Sequence, residues 1–152
     1  MKERFKIIPE VCVLVIKNNE ILLSRRLNTG WEDGNYGLPA GHIEDGETMS
    51  EGAAREAHEE IGIEIDPKNL RHVHTQHRFA DDPGNPHSRV GFYFVPTQYK
   101  GEIENKEPDK CSELKFFPLD QLPQNTIGHI RTAIECYRNG VTYSEFDWDK
   151  KK

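Results

Sequence analysis

Short apolar runs alternate along the chain with polar and glycine-rich segments, which is the spacing of strands joined by turns. The run at residues 11–16 is β-branched and unbroken, and a polar stretch at 17–20 separates it from a second run, so the pattern predicts a hairpin. A turn-forming segment at 81–86 divides two longer apolar stretches. The predicted strands are residues 11–16, 21–25, 70–79, 90–99 and 113–117.

Two stretches have helical spacing. Thr48 to Glu51 has the sequence of a capping box and Gly62 is a stop signal, so the first helix is predicted over Met49–Ile61. The second helix is predicted from a cap at Thr126 to a terminator at Asn139–Gly140. Its apolar face consists of Ile127, Ile130, Ile134 and Tyr137.

The length and composition fit one domain over residues 1–152, with a mixed sheet between two helices. Residues 147–152 are highly charged and are expected to fray. The longest apolar run has six residues, far from the roughly 20 of a membrane span, and the charged N-terminal segment leads into no signal-peptide core. We therefore expect a cytoplasmic protein without a membrane partner.

Charge and cysteine content narrow the function further. A net charge of −6 disfavours a nucleic-acid polymer as partner. The three cysteines lack CxxC spacing, so reduced thiols are expected rather than a disulfide framework or a cysteine zinc site. Any phosphate chemistry must then depend on a local site or on a cation.

The first predicted helix carries three carboxylates on one edge. On a wheel of about 100° per residue, Glu56, Glu59 and Glu60 fall within an arc of about 100°, opposite the small and apolar positions. Such an edge is either a solvated acidic face or a cation site. Carboxylates a few ångströms apart repel by roughly 1 to 4 kcal/mol per pair, and a divalent cation reverses that sign. The spacing of these residues leaves both interpretations open.

The surrounding pattern decides between them. Gly41, Glu47, the segment from Arg55 to Glu60, Gly62 and Ile63 together resemble the Nudix box, filled at every position over residues 41–63, and residues 37–40 resemble its usual lead-in. The resemblance implies an α+β fold of the Nudix type, an α/β/α sandwich with a mixed β-sheet between helices. It also implies a hydrolase of nucleoside diphosphates linked to another group, dependent on Mg²⁺ or Mn²⁺.

The resemblance also implies a role for each box position. Glu56, Glu59 and Glu60 match metal-ligand and base positions, so each is a candidate catalytic residue and ligand. The backbone carbonyl of Ala40 matches a further metal oxygen. Glu47 and Arg55 match a structural pair that ties the helix to the loop. Hard oxygen ligands of this kind suit Mg²⁺ or Mn²⁺.

Outside the box, a few polar residues are candidates for substrate binding. Arg26, at a predicted strand end, could meet substrate phosphates or serve edge-strand solubility. His42 could donate a hydrogen bond to a phosphate or contact the base. His72 and His74 are expected to share a strand face, which with His77 is a weak signal for zinc.

A second stretch, containing Asn105, Glu107, Pro108, Lys110 and Cys111, resembles the nucleoside triphosphate diphosphatases of the family, the MutT-like kind. Glu107 is then an extra metal ligand or base, or else an acidic loop end. In that subgroup the start of the last helix lines the base pocket, which implies contacts from Ile127, Gly128 and Ile130. Gly91 is expected to leave space for the ring of the base.

The predicted function is metal-dependent hydrolysis of a nucleoside triphosphate to the monophosphate and pyrophosphate. One alternative is hydrolysis of a nucleotide sugar or another nucleoside diphosphate derivative. A non-catalytic nucleotide sensor is the other, and it is disfavoured because every box glutamate is present. The expected partner is a small nucleotide, and the sequence leaves open whether the chain forms a homodimer.

Overall fold

A computed structural model describes residues 1–82 and 87–151, and the fold consists of two sheets and two α-helices in that part of the chain. Both helices and most of the five predicted strands lie close to their predicted positions, whereas the short strands at 36–37, 40–42 and 143–146 were not predicted. The helices are α1, Met49–Ile61, and α2, Gly128–Arg138. The strands are β1 Ile8–Val13, β2 Ile16–Lys17, β3 Glu20–Arg26, β4 Tyr36–Gly37, β5 Ala40–His42, β6 Leu70–Phe79, β7 Ser88–Pro96, β8 Cys111–Pro118 and β9 Tyr143–Phe146.

The larger sheet is mixed and lies between the two helices. Its strand order is β5-β1-β7-β6-β9, with β1 parallel to β7 and antiparallel to β5. Successive residues of a strand face opposite sides of the sheet. Val11 and Val13 accordingly pack in the cluster of α1, whereas Cys12 and Tyr93 pack in the cluster of α2. The predicted fold class, an α+β sandwich with a mixed sheet between helices, is confirmed.

The smaller sheet corrects the predicted hairpin. It has the order β2-β3-β4, with β8 paired to β3. Within the first apolar run, the strand that pairs with β3 is β2, through Ile16 and Lys17. The first part of the run pairs with β5 and β7 instead. The run is apolar throughout because β1 is buried on both of its faces.

The ends of the helices depend on local hydrogen bonds. The Thr48 hydroxyl accepts from the backbone N–H of Glu51 at 3.1 Å, and Gly62 closes α1 in the left-handed region at φ 78°, as predicted. Helix α2 begins later than predicted. The hydroxyl of Thr126 donates to the carbonyl of Pro123, so Ile127 occupies the cap position without a side-chain bond.

The C-terminal segment differs from its expected frayed state. Trp148–Lys150 forms a short 3-10 helix, and the indole N–H of Trp148 donates to the carbonyl of His77 at 2.9 Å. The Trp148 ring also packs against the ring of Phe79. Lys152 and residues 83–86 of the predicted turn lie outside the described residues.

Two further findings concern membrane-spanning helices and the cysteines. Within residues 1–82 and 87–151, no helix is long and apolar enough to cross a membrane. Cys12, Cys111 and Cys136 are not joined in disulfides, and Cys12 is buried.

Candidate active site

Helix α1 places its acidic edge beside the mixed sheet. Ala53 and Ala57, on the face of the helix that packs against the sheet, are fully buried. Their small side chains let the helix backbone lie close to the strands, so the neighbouring glutamates reach the strand ends. Glu56, Glu59 and Glu60 all line one cavity.

This first cavity has a volume of about 510 Å³ and collects residues that are distant in the sequence. Ala40 and Gly41 of β5 lie on one side of it, next to the glutamates of α1. The segment before β8 contributes Glu107 and Lys110, and the end of β3 contributes Arg26. The structure therefore brings the predicted metal, catalytic and phosphate-binding candidates together at one place.

Glu60 is the most deeply placed of the carboxyl groups. Burial, followed by the charge of Glu56, raises the pKa of Glu60 well above its ordinary value, and Glu107 adds to the rise. One oxygen of Glu60 accepts from the backbone N–H of Ala40 at 2.9 Å. Burial also raises the pKa of Glu56, although Arg55 opposes this. The cavity thus crowds carboxyl groups that would gain from a nearby cation.

Arg55 holds this acidic cluster together. Its Nε and one terminal nitrogen donate to the two oxygens of Glu47, at 3.0 and 2.8 Å, in a bidentate pair. Its other terminal nitrogen donates to Glu56 at 3.0 Å and to Glu59 at 3.3 Å. The carbonyl of His42 accepts a further bond, so Arg55 links α1 to the loop after β5, which is the duty predicted for the pair.

Gly41 leaves the space that Glu56 occupies. A Cβ added at Gly41 would lie 2.0 Å from one carboxylate oxygen of Glu56. Real Cβ atoms do not approach other atoms so closely, so a side chain here would displace that carboxylate. A close approach between strand and helix is therefore the structural reason for a glycine at this position.

The donors around the first cavity fit a divalent cation of the hard class. Carboxylates of Glu56, Glu59 and Glu60, with the backbone oxygen of Ala40, are the oxygen ligands that Mg²⁺ and Mn²⁺ prefer. In the described part of the chain, no three acidic, histidine or cysteine side chains already converge as a finished metal cluster. Arg55 engages Glu56 and Glu59 in this arrangement, so a bound cation would compete with its guanidinium.

A second cavity of about 820 Å³ adjoins the first and shares Arg26, Ala40 and Gly41 with it. Five predicted substrate-binding residues line it, namely Arg26, His42, Ile127, Gly128 and Ile130. Trp31 and Phe146 supply aromatic wall. The start of α2 therefore lines the second cavity, and its contacts to a base stay a prediction.

A buried ion cluster at the floor of the second cavity was not foreseen. Glu10 accepts from Arg78 and from Arg89, each at 3.0 Å. Burial alone would raise the pKa of Glu10, but hydrogen bonds from His42 and the two arginines outweigh it and hold the pKa at about 2. The three members come from β1, β6 and β7, and strand pairing is the signal that would have joined them.

Gly91 requires a correction. It lies buried within β7, and the linings of both cavities omit it among the described residues. A Cβ at Gly91 would meet the ring of Tyr93 at 3.1 Å. The space that the glycine provides is therefore filled by this protein's own tyrosine rather than by a base.

The histidines of β6 also differ from expectation. A bulge between His72 and His74 places their rings on opposite faces of the sheet, next to Phe94 and Tyr93 respectively. His74 bonds to Val141 and Ser144. The expected shared face does not form, which removes the geometric basis for a zinc site there.

Comparison with known proteins agrees with this geometry. The family model described as the NUDIX domain matches residues 6–135. The chain is 33% identical over 131 residues to an ADP-ribose pyrophosphatase of Methanocaldococcus jannaschii, covering 84% of this chain and 73% of that protein. Its fold is similar to that of a MutT NUDIX hydrolase from Burkholderia pseudomallei, with a TM-score of 0.75 and 27% identity over 86% of this chain and 98% of the other.

A second group of relatives is larger than this chain. The NAD-capped RNA hydrolase NudC of Stutzerimonas stutzeri is 31% identical over 116 residues, covering 76% of this chain and 38% of that protein. This chain therefore spans about two fifths of the length of that relative.

Proposed function

This chain belongs to the Nudix family of hydrolases, and we propose that it converts a nucleoside triphosphate to the monophosphate and pyrophosphate with the help of Mg²⁺ or Mn²⁺. The observation that carries the choice of triphosphate is the position of Glu107. The segment that resembles the triphosphate-cleaving subgroup brings this carboxylate into the cavity of the three helix glutamates, close enough to raise the pKa of Glu60.

The residues of the first cavity divide the work between charge and positioning. Glu56, Glu59, Glu60 and the Ala40 carbonyl would hold the cation. When bound, it supplies activation of a water and neutralisation of charge on the phosphate oxygens. Arg26 and Lys110 line the same cavity, so a highly charged triphosphate meets cationic groups there. These two cationic side chains would hold the phosphate chain next to the acidic helix.

The bond change needs no further reactant. The oxygen of water forms a bond to phosphorus while a phosphoanhydride P–O bond breaks, and pyrophosphate leaves with the electron pair. A carboxylate of the cavity, Glu59 or Glu107, accepts the proton of the water. The side chain of Glu59 is 52% exposed, which gives it access to solvent water and to the buffer.

A second candidate is hydrolysis of a nucleoside diphosphate derivative such as a nucleotide sugar. The similarity to an ADP-ribose pyrophosphatase favours it, and the second cavity offers room for another group. The same acidic helix would serve both reactions. The two reactions differ in the group that leaves when the phosphoanhydride bond breaks, which is pyrophosphate in one and a phosphorylated group such as a sugar phosphate in the other.

Product analysis distinguishes the two candidates. A panel of nucleoside triphosphates, nucleotide sugars and ADP-ribose is incubated with Mg²⁺ in water enriched in heavy oxygen. We expect monophosphate and pyrophosphate from triphosphates, with the label in one product only. Faster cleavage of nucleotide sugars or ADP-ribose, or release of orthophosphate with diphosphate, would contradict the triphosphate proposal.

Glu107→Gln tests the carboxylate on which the proposal depends. We expect kcat to fall by about tenfold or more with a smaller change in KM, because the lost charge acts mainly in the transition state. Glu104→Gln is the matched control, since Glu104 precedes it in the same segment and pairs with Lys106 outside the cavity lining. Equal kinetics in the two variants would show that Glu107 is an ordinary loop carboxylate.

A further inference from the structure

Trp31 is a large exposed ring that the proposed reaction does not use. The residue is 45% exposed, and it lines the second cavity together with its neighbours Gly30 and Glu32. Removing apolar surface from water is favourable, so a folded chain gains nothing from leaving such a ring open in a cavity. A ligand that covers the ring would supply the missing contact.

The loop that carries Trp31 is held in place by its own hydrogen bonds. The Asp33 carboxylate accepts from the backbone N–H of Thr29 at 3.0 Å and of Gly30 at 2.9 Å. The Nε of Arg26 donates to the carbonyl of Trp31 at 2.8 Å. The position of the ring is therefore set before a ligand arrives, which lowers the entropic cost of binding.

Arg26 joins this ring to the first cavity. Its guanidinium lies over the Trp31 ring, 4.8 Å from the centroid, in a cation–π contact. The same side chain lines both cavities. The bond from Nε uses one of its five donors, and guanidinium donors match phosphate oxygens. One arginine thus connects the aromatic wall with the phosphate site.

The rest of the second cavity favours a flat, uncharged ring with a polar edge. The ring of His129 lies 6.0 Å from Trp31, and Phe146 lies 6.1 Å from His129. Burial, followed by the nearby Arg78, lowers the pKa of His129 to about 3, so its ring is neutral at neutral pH. The ion cluster of Glu10 at the floor offers both hydrogen-bond acceptors and donors.

We propose that Trp31 stacks on the base of the substrate, so that the group bound in the second cavity is an aromatic nucleobase. This inference rests on the proposed function, because it assigns the nucleoside end of the same substrate. A nucleobase has a π face for Trp31 and a polar edge for the floor, whereas a sugar or a phosphate has no π face. Arg26, held against the ring, then places the phosphates toward the acidic helix.

Intrinsic fluorescence gives a direct test. The chain has two tryptophans, so Trp148→Phe leaves Trp31 as the single reporter. This variant is titrated with AMP and with UMP, in EDTA so that no turnover occurs, and with ribose 5-phosphate as the probe that lacks a base. We expect saturable quenching by both nucleotides and none by ribose 5-phosphate. Equal quenching by ribose 5-phosphate, or no quenching by the nucleotides, would overturn the proposal.

Calorimetry with Trp31→Ala supplies a measurement that does not depend on fluorescence. We expect the affinity for AMP to fall roughly tenfold to a hundredfold, the usual loss for one base–aromatic stack, while Trp31→Phe keeps most of it. Tyr99→Ala is the matched control, because Tyr99 is an exposed aromatic residue outside the cavity linings. Unchanged AMP affinity in Trp31→Ala would contradict the proposal.

The outcomes separate this inference from the proposed function. Binding without turnover tests the base contact alone, and product analysis tests the reaction alone. A protein that binds nucleotides through Trp31 but releases no pyrophosphate refutes the reaction and keeps the base contact. If the protein hydrolyses triphosphates but Trp31→Ala leaves its nucleotide affinity unaltered, the base contact is refuted and the reaction is kept.

Discussion

Glu56→Gln and Glu60→Gln are each expected to lower kcat at least about a hundredfold and leave the fold intact. Each change removes a carboxyl group that would bind the cation but hardly alters the volume of the side chain. Both residues line that cavity, and burial raises the pKa of each. Steady-state kinetics at saturating Mg²⁺ measures the effect, with circular dichroism as the check on folding.

A thermal-shift measurement tests the same metal site without relying on activity. Millimolar Mg²⁺ or Mn²⁺ should raise Tm in the wild type, because a ligand of the native state stabilises it, and Glu56→Gln should blunt that rise. Glu51→Gln is the control, since Glu51 lies in the first turn of α1, and it should behave like the wild type in both assays. Near-normal turnover in a folded Glu56→Gln or Glu60→Gln protein would refute the assignment of α1 as the catalytic metal site.

Gly41→Ala is expected to lower kcat about a hundredfold, although it adds a single methyl group. The added Cβ overlaps the carboxylate of Glu56, which must move, and a displacement of about 1 Å at a reacting centre has an effect of this size. The flexible end of Glu56 yields before the backbone does, so Tm should change little. Kinetics and thermal unfolding on the same preparation measure both quantities.

The double variant Gly41→Ala with Glu56→Gln shows whether the glycine acts through that carboxylate. If it does, kcat of the double variant should be close to that of Glu56→Gln alone, because the second change disturbs a group already lost. Losses that multiply would indicate that Gly41 acts by another route, such as a distortion of β5.

The parts of the fold that the sequence predicted well are governed by local signals. Thr48, Glu51 and Gly62 place both ends of α1 through contacts within a few residues, and the helix has its predicted bounds. The acidic edge follows from those bounds, since helical geometry alone places Glu56 near Glu60. The predicted start of α2 was less exact, because the hydroxyl of Thr126 donates to the carbonyl of Pro123 instead of capping the helix.

The features that the sequence did not predict depend on pairing between distant segments. Glu10 meets Arg78 and Arg89 because β1, β7 and β6 are adjacent in the sheet, and their separation in the chain gives no sign of that. A single bulge in β6 turned His74 away from the face of His72. Trp31 gained its place from loop hydrogen bonds that have no periodic pattern to predict them.

The roles of the site residues divide in the same way. The resemblance to the Nudix box named the glutamates of α1 and Glu107, and the structure gathers them in one cavity, while their catalytic roles stay predictions. Gly91 was misread because an absent side chain was taken as room for a ligand. In the folded chain Tyr93 fills that room, which only its position on the same face of β7 could reveal.

The contacts of Arg55 have a consequence for the order in which this protein matures. In many small metalloproteins the chain cannot complete its fold until the ion arrives. Here a built-in guanidinium already offsets Glu47, Glu56 and Glu59, and burial favours the uncharged form of Glu60. We therefore expect the polypeptide to fold before it binds the ion. A shortage of the ion would then leave the protein folded but inactive.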